Sequence, residues 1–206
     1  MTKEAIREPI LTKPDYFTKI DPNIFREIED VFSETTYPSA GFTLYEGTIN
    51  MDRPVHKKLA SIVASLTNEF NTYFADSGIT TISYSFDAKP IKPGRSQRGT
   101  RWHYDKDSTS QSLAVVASSN LPTEFLVAKD QSEHGIKSGL RYVCRMDEKS
   151  NGFQNIPIEA GLARGALCLY HPAPLDAVIM TDNVHRSPTN ETDKEQPRIW
   201  LRAAFE

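Results

Sequence analysis

Two early stretches of the chain carry apolar residues at helical spacing, and short alternating or apolar runs follow them. Ile24, Phe25, Ile28, Val31 and Phe32 recur three or four apart behind Asp21-Pro22. Aspartate caps helix starts well and proline suits the first helical position, so a helix is predicted over 22–34. A loop with Pro38 and Gly41 comes next. From Pro54 a longer helix is predicted, with Leu59, Ile62, Val63, Leu66, Phe70 and Phe74 on one stripe that ends before Gly78. Its aromatic residues read as packing against a sheet. Residues 1–20 carry little pattern and read as an extended lead-in.

Beyond Gly78 the period becomes that of strands. The run 79–87 is rich in β-branched and aromatic residues. Further strand-like runs fall at 100–104, 112–117, 123–128, 140–146, 166–170, 177–180 and 198–205, with Pro, Gly, Asn and Asp in the gaps. The segments 129–139 and 147–154 read as exposed loops. Helices first and about eight strands after predict an α+β chain with a mainly β core, a two-sheet sandwich or jelly roll.

The chain has 206 residues, 38% of them hydrophobic. That suits one domain, with an arm and supporting helices over 1–78 and the β core over 79–206. A net charge of −3 gives no global case for nucleic acid as a partner. The opening MTKEAIREPILTKPDYF lacks the apolar centre of a signal peptide. No run reaches the roughly 20 apolar residues of a membrane span. A cytoplasmic protein is expected. Cys144 and Cys168 form no CxxC pair and read as buried thiols.

Trp102-His103-Tyr104-Asp105 is the first chemical signal. Residues i and i+2 of a strand share a face, so His103 and Asp105 can offer an imidazole nitrogen and a carboxylate oxygen to one ion. The second signal is His185, in Asn183-Val-His185-Arg-Ser-Pro188. Two histidines and one carboxylate make up the facial triad of non-haem iron(II) sites, which leaves the opposite face open. The third is Arg198, 13 residues after His185, at the start of the last strand. A guanidinium buried in a β core needs an anion, and a dicarboxylic cosubstrate would supply one. Arg202 shares the strand face of Arg198 and is a rival for that role. Tyr84 and Thr123 are candidate hydroxyl donors to the same cosubstrate. His56, His134 and His171 are not proposed as ligands.

This ordered set resembles the iron(II)/2-oxoglutarate-dependent oxygenase superfamily, which carries HxD, then a distal His, then an Arg ten or more residues on. The resemblance spans residues 79–206, and Asn120-Leu-Pro-Thr-Glu-Phe125 and His185-Arg-Ser-Pro188 also look like its segments. It implies a double-stranded β-helix of cupin-like form. It implies Fe(2+) on His103, Asp105 and His185, with 2-oxoglutarate and molecular oxygen as cosubstrates and Arg198 on the distal carboxylate. It implies hydroxylation as the default outcome, with succinate and carbon dioxide released. One departure stands out: where the family often has Arg-x-Ser, this chain has Trp200 two beyond Arg198.

Lys89, Lys92, Arg95, Arg98 and Arg101 precede His103 closely, beside Pro90, Pro93 and Gly94. They read as a solvated loop, or as a basic lid drawing an anionic substrate to Arg95, Arg98, Arg101 and Trp102. The preferred substrate is a small carboxylate-bearing molecule such as an amino acid. A cupin-type dioxygenase without 2-oxoglutarate, and a metal-binding protein without turnover, are the alternatives.

Overall fold

The computed structural model describes residues 8–33, 39–45, 48–50, 56–75, 81–96, 101–104, 113–143 and 152–205. Asp105, Arg98 and Cys144 lie outside the described residues. In chain order the elements are β1 (Asp15–Lys19), α1 (Pro22–Ser33), β2 (Ser39–Tyr45), β3 (Thr48–Asn50), α2 (His56–Tyr73), β4 (Thr81–Ile91), β5 (Leu113–Ser118) and β6 (Glu124–Ala128). There follow α3 (Glu133–Leu140), α4 (Asn155–Ala163), β7 (Leu167–Tyr170), β8 (Asp176–Met180), β9 (His185–Arg186) and β10 (Gln196–Phe205).

The strands form a seven-stranded sheet, β1-β8-β5-β10-β4-β2-β3, and a three-stranded sheet, β7-β6-β9. The pairings nest. β4 pairs with β10, His103 bridges His185, β5 pairs with β8, and β6 pairs with β7, all antiparallel. First thus meets last and the innermost strands meet each other, as in one long hairpin. The cross-pairs β5·β10 and β6·β9 wind that hairpin into two facing sheets. This is the double-stranded β-helix, a jelly roll. It is open rather than a closed barrel.

Alternation sorts each strand between layers. On β10, Ile199, Leu201, Ala203 and Phe205 face α1 and α2, where they join Phe25, Ile28, Ile62, Val63, Leu66 and Phe70 in one core. The stripe on α2 therefore does pack on the sheet: Phe70 lies 5.5 Å from Phe205 and 6.2 Å from Tyr84, centroid to centroid. The other face of the sheet looks inward, where Val116, Phe125, Val127, Val178 and Met180 fill the space between the sheets. A third cluster, with Leu11, Trp102, Leu126, Ile158 and Leu167, seals the small sheet under α3 and α4.

Several expectations are corrected. The lead-in is structured where described: residues 15–19 are the edge strand β1, and Phe17 packs 5.2 Å from Phe70. Upstream, Leu11 accepts the amide of Ala128 and Ile10 bridges Asn183, so this arm straps the small sheet. The segment read as a loop over 129–139 contains α3, capped by Ser132, whose hydroxyl accepts the amide of Gly135. The strand expected over 140–146 is instead the end of α3 and a turn, with the amides of Tyr142 and Val143 on Gly139 and Leu140; its last residues lie outside the described part. α4 escaped notice because Pro157 and Gly161 weaken its helical signal. Gly161 is required by packing: a Cβ there would sit 2.7 Å from a methyl of Leu167. Cys168 is a free thiol, half-buried on β7 rather than buried.

Candidate functional site

The site begins with two strand-paired histidines. The amide of His103 donates to the carbonyl of His185 at 3.0 Å, and that of His185 donates back at 2.8 Å. Residues so paired are directly opposite, with side chains on one face. The two imidazole centroids lie 4.5 Å apart. Each ring is oriented by its own strand: Nδ1 of His103 meets the carbonyl of Arg101 at 3.1 Å, and Nδ1 of His185 meets that of Asn183 at 2.9 Å. An Nδ1–H donated to a carbonyl puts the lone pair on Nε2, the tautomer in which imidazole ligates a metal through that atom. Phe125, 6.0 Å from the His185 ring, backs it from β6.

These two residues fit a metal ion. Imidazoles in adjacent positions on one octahedral ion, each bond about 2.1 Å, hold their ring centres about 4.5 Å apart. Among the described residues no group of three ligating side chains gathers; Asp105, the third candidate, is outside them.

The histidines open on a cleft between the two sheets. Its lining includes Thr123, Arg198, Trp200 and Arg202 from the β6 and β10 sides, and Val116 and Met180 from the inner core. Arg198 is 3% exposed. Its Nε donates to the carbonyl of Leu121 at 2.8 Å and its Nη2 donates to Oγ1 of Thr123 at 3.1 Å. Leu121 has φ 51°, a left-handed conformation that costs a leucine on the order of 1 kcal/mol or more. That turn aims its carbonyl at the guanidinium. Arg198 is thus oriented by a backbone carbonyl and a threonine hydroxyl.

Trp102 and Arg186 form a bracket behind the histidines. They are next neighbours of the bridged pair, so alternation starts both on the opposite face, from which Arg186 still reaches the edge of the cleft. The Arg186 guanidinium lies 4.3 Å from the Trp102 ring centre, and its Nε meets Oε2 of Glu124 at 2.5 Å. Glu124 faces Arg186 in the β6·β9 register. Trp102 is therefore buried in the outer core rather than lining the cleft.

The other sequence candidates fall as follows. Arg202 lines the same cleft as Arg198. Tyr84 faces the helices: its O–H meets Thr67 Oγ1 at 2.7 Å, and burial pushes its pKa up. The structure does not bring it to the cleft. Arg95 and Arg101 are exposed and do not line it. The described part of the basic segment is tied down. The amide of Gly94 donates to Asn190 O and that of Asn190 donates to Arg95 O, while Ser96 bridges Thr189. Ser187 and Trp200 were missed as cleft residues although both signals were present, each standing two beyond a candidate on the same strand or its extension.

No known protein-family profile matches the chain, and no curated protein matches it by sequence. Solved structures do. IDO from Bacillus thuringiensis aligns with TM-score 0.49 and 11% identity, over 89% of this chain and 83% of that one. The non-heme alpha ketoglutarate dependent carbocyclase SnoK from nogalamycin biosynthesis aligns with TM-score 0.47 and 10% identity, over 89% and 74%. A Pseudomonas putida prolyl-4-hydroxylase aligns with TM-score 0.43 and 12% identity, over 93% and 89%. These likenesses assign no activity to this chain.

Proposed function

We propose that the chain is a non-haem iron(II)- and 2-oxoglutarate-dependent oxygenase, hydroxylating a small carboxylate-bearing substrate such as an amino acid. One observation carries the reading: a pair of oriented histidines and a buried, oriented arginine share one cleft. The order of His103-x-Asp105, His185 and Arg198 along the chain, which resembles that of the superfamily, supports it.

His103 and His185, with Asp105, would hold the iron on one side and leave its other positions to ligands from the cleft. Bound there, iron(II) supplies the oxygen chemistry that couples decarboxylation of 2-oxoglutarate to oxidation of a substrate. The chain's own residues bind and orient. Arg198 offers a planar fork to the distal carboxylate, and Thr123 fixes that fork from the side. Val116, Met180 and Trp200 give the cleft an apolar side, which would strengthen the ion pair. The carbonyls of Arg101 and Asn183 keep both imidazoles in the ligating tautomer.

The test is anaerobic reconstitution with iron(II) and 2-oxoglutarate, followed in the visible region and then by succinate on admitting oxygen. The expected result is a charge-transfer band that needs both components, and succinate that needs oxygen. A band-free mixture and no succinate would overturn the reading.

A further inference from the structure

Trp200 carries the largest side chain of the cleft lining, and it stands beside the arginine that a cosubstrate would meet. It follows Arg198 by two residues on β10, so the two share a face, with their backbones about 7 Å apart. Its directly opposite neighbours are Asp87 on β4 and Ser118 on β5. The indole packs against the inner core of Val116, Phe125, Val127, Val178 and Met180. Val116 and Met180 of that core line the cleft as well.

That packing makes the indole a fixed wall. The core behind it draws on both sheets, with Val116 on β5, Val178 and Met180 on β8, and Phe125 and Val127 on β6. Protein interiors are close-packed, so an indole set against such a core has little room to retreat. The ends of the cleft are fixed too. The carbonyls of Arg101 and Asn183 orient the imidazoles, and Leu121 with Thr123 orients Arg198. A linear diacid held by a metal at one end and by Arg198 at the other therefore has a set span. A diacid one methylene longer fits that span only by bowing sideways, and the indole closes the β10 side.

We infer that Trp200 is the specificity-determining residue for the length of the cosubstrate: it admits 2-oxoglutarate and rejects the homologue one methylene longer, 2-oxoadipate. The inference rests on the function proposed above and deepens it, by giving the choice between two ligands of the same chemistry to one side chain. The wall acts through shape, and the charges around it are the same for both ligands. Removing the indole leaves room that its neighbours do not refill. Ser118 is short and buried, and the ladders to β4 and β5 hold the backbone of β10 in place.

The experiment is calorimetric titration of the full chain, with manganese(II) in place of iron to prevent turnover. 2-Oxoglutarate and 2-oxoadipate are titrated separately into wild type, Trp200→Phe and Trp200→Leu. One methylene in a fitted pocket is worth about 10–200-fold, so wild type should favour 2-oxoglutarate by about tenfold or more. Trp200→Leu should bind 2-oxoadipate more tightly than wild type does, which brings the two ligands within about threefold of each other. Trp200→Phe, with a smaller flat wall, should fall between. A gain of binding does not come from a damaged fold. Equal binding of the two diacids by wild type overturns the assignment. So does a Trp200→Leu protein that keeps the wild-type ratio, or that loses both ligands in the same proportion. Where Trp200→Leu yields no folded protein, an unchanged ratio in Trp200→Phe overturns it. Failure of wild type to bind either diacid strikes the proposed function itself.

Discussion

At the scale of single residues, burial and orientation separate Arg198 from every other arginine of the chain's described part. It is 3% exposed and bonded to Leu121 and Thr123. Replacing it by alanine would leave a bound carboxylate desolvated and without its counter-charge, at a cost on the order of 3–5 kcal/mol. Titration should then show 2-oxoglutarate bound at least about a hundredfold more weakly, with lysine restoring part of the loss and metal affinity unchanged. Asn190 is the structural counterpart. It is 0% exposed. Its Nδ2 donates to Ile91 O at 2.8 Å and to Lys194 O at 2.7 Å, and its Oδ1 accepts from Thr192. Asn190→Ala strands those carbonyls and should destabilise the protein by about 2–4 kcal/mol in urea titration. The Asn190 backbone pairs with Gly94 and Arg95, so once the side-chain bonds that hold that backbone are lost, amide exchange at Gly94 should quicken.

At the scale of elements, the two short strands that carry the histidines owe their register to what lies behind them. β9 is two residues long and the 101–104 strand contributes a single bridge. Such a pair has little ladder of its own to hold it. The Trp102–Arg186–Glu124 stack supplies a cation–π contact and an ion pair across the junction. Arg186→Met keeps the length of the stem and removes both. Metal affinity, read by titrating manganese(II) or cobalt(II), should fall about tenfold, while loss of fold stability stays near 1–2 kcal/mol. Unchanged metal affinity with the same loss of stability would make the stack a packing feature only.

At the scale of the molecule, a metal held by elements far apart in sequence would couple its binding to folding. The candidate ligands come from both ends of the wound hairpin, and the unfolded chain does not hold them together. Metal at about a hundred times its dissociation constant adds about 2.7 kcal/mol, which raises the melting temperature by roughly 5–10 °C. Differential scanning calorimetry with manganese(II) and with chelator checks this. His103→Ala should abolish the shift. No described helix is long and apolar enough to cross a membrane.

Amphipathic period and caps were enough to determine α1, α2 and most of the β strands, because those signals are local: Asp21 does accept the Asn23 amide, at 2.8 Å. The jelly-roll class was legible for the same reason, since helices followed by many short strands admit few architectures. The candidate chemistry was legible in part, because His103, Arg198 and Thr123 sit at positions whose neighbours two residues away share their face. What period alone could not decide is which face is the inner one. Tyr84 and Thr123 look alike as strand hydroxyls, yet one meets Thr67 on the helix side and the other meets Arg198 in the cleft. Trp102 and Arg186 read as neighbours of candidate ligands, and only the pairing of 103 with 185 sets them stacked behind the site. β1 and α4 also waited for the tertiary structure. Each is stabilised by what it packs on, Phe17 against α2 and Gly161 against Leu167, and not by its own propensity.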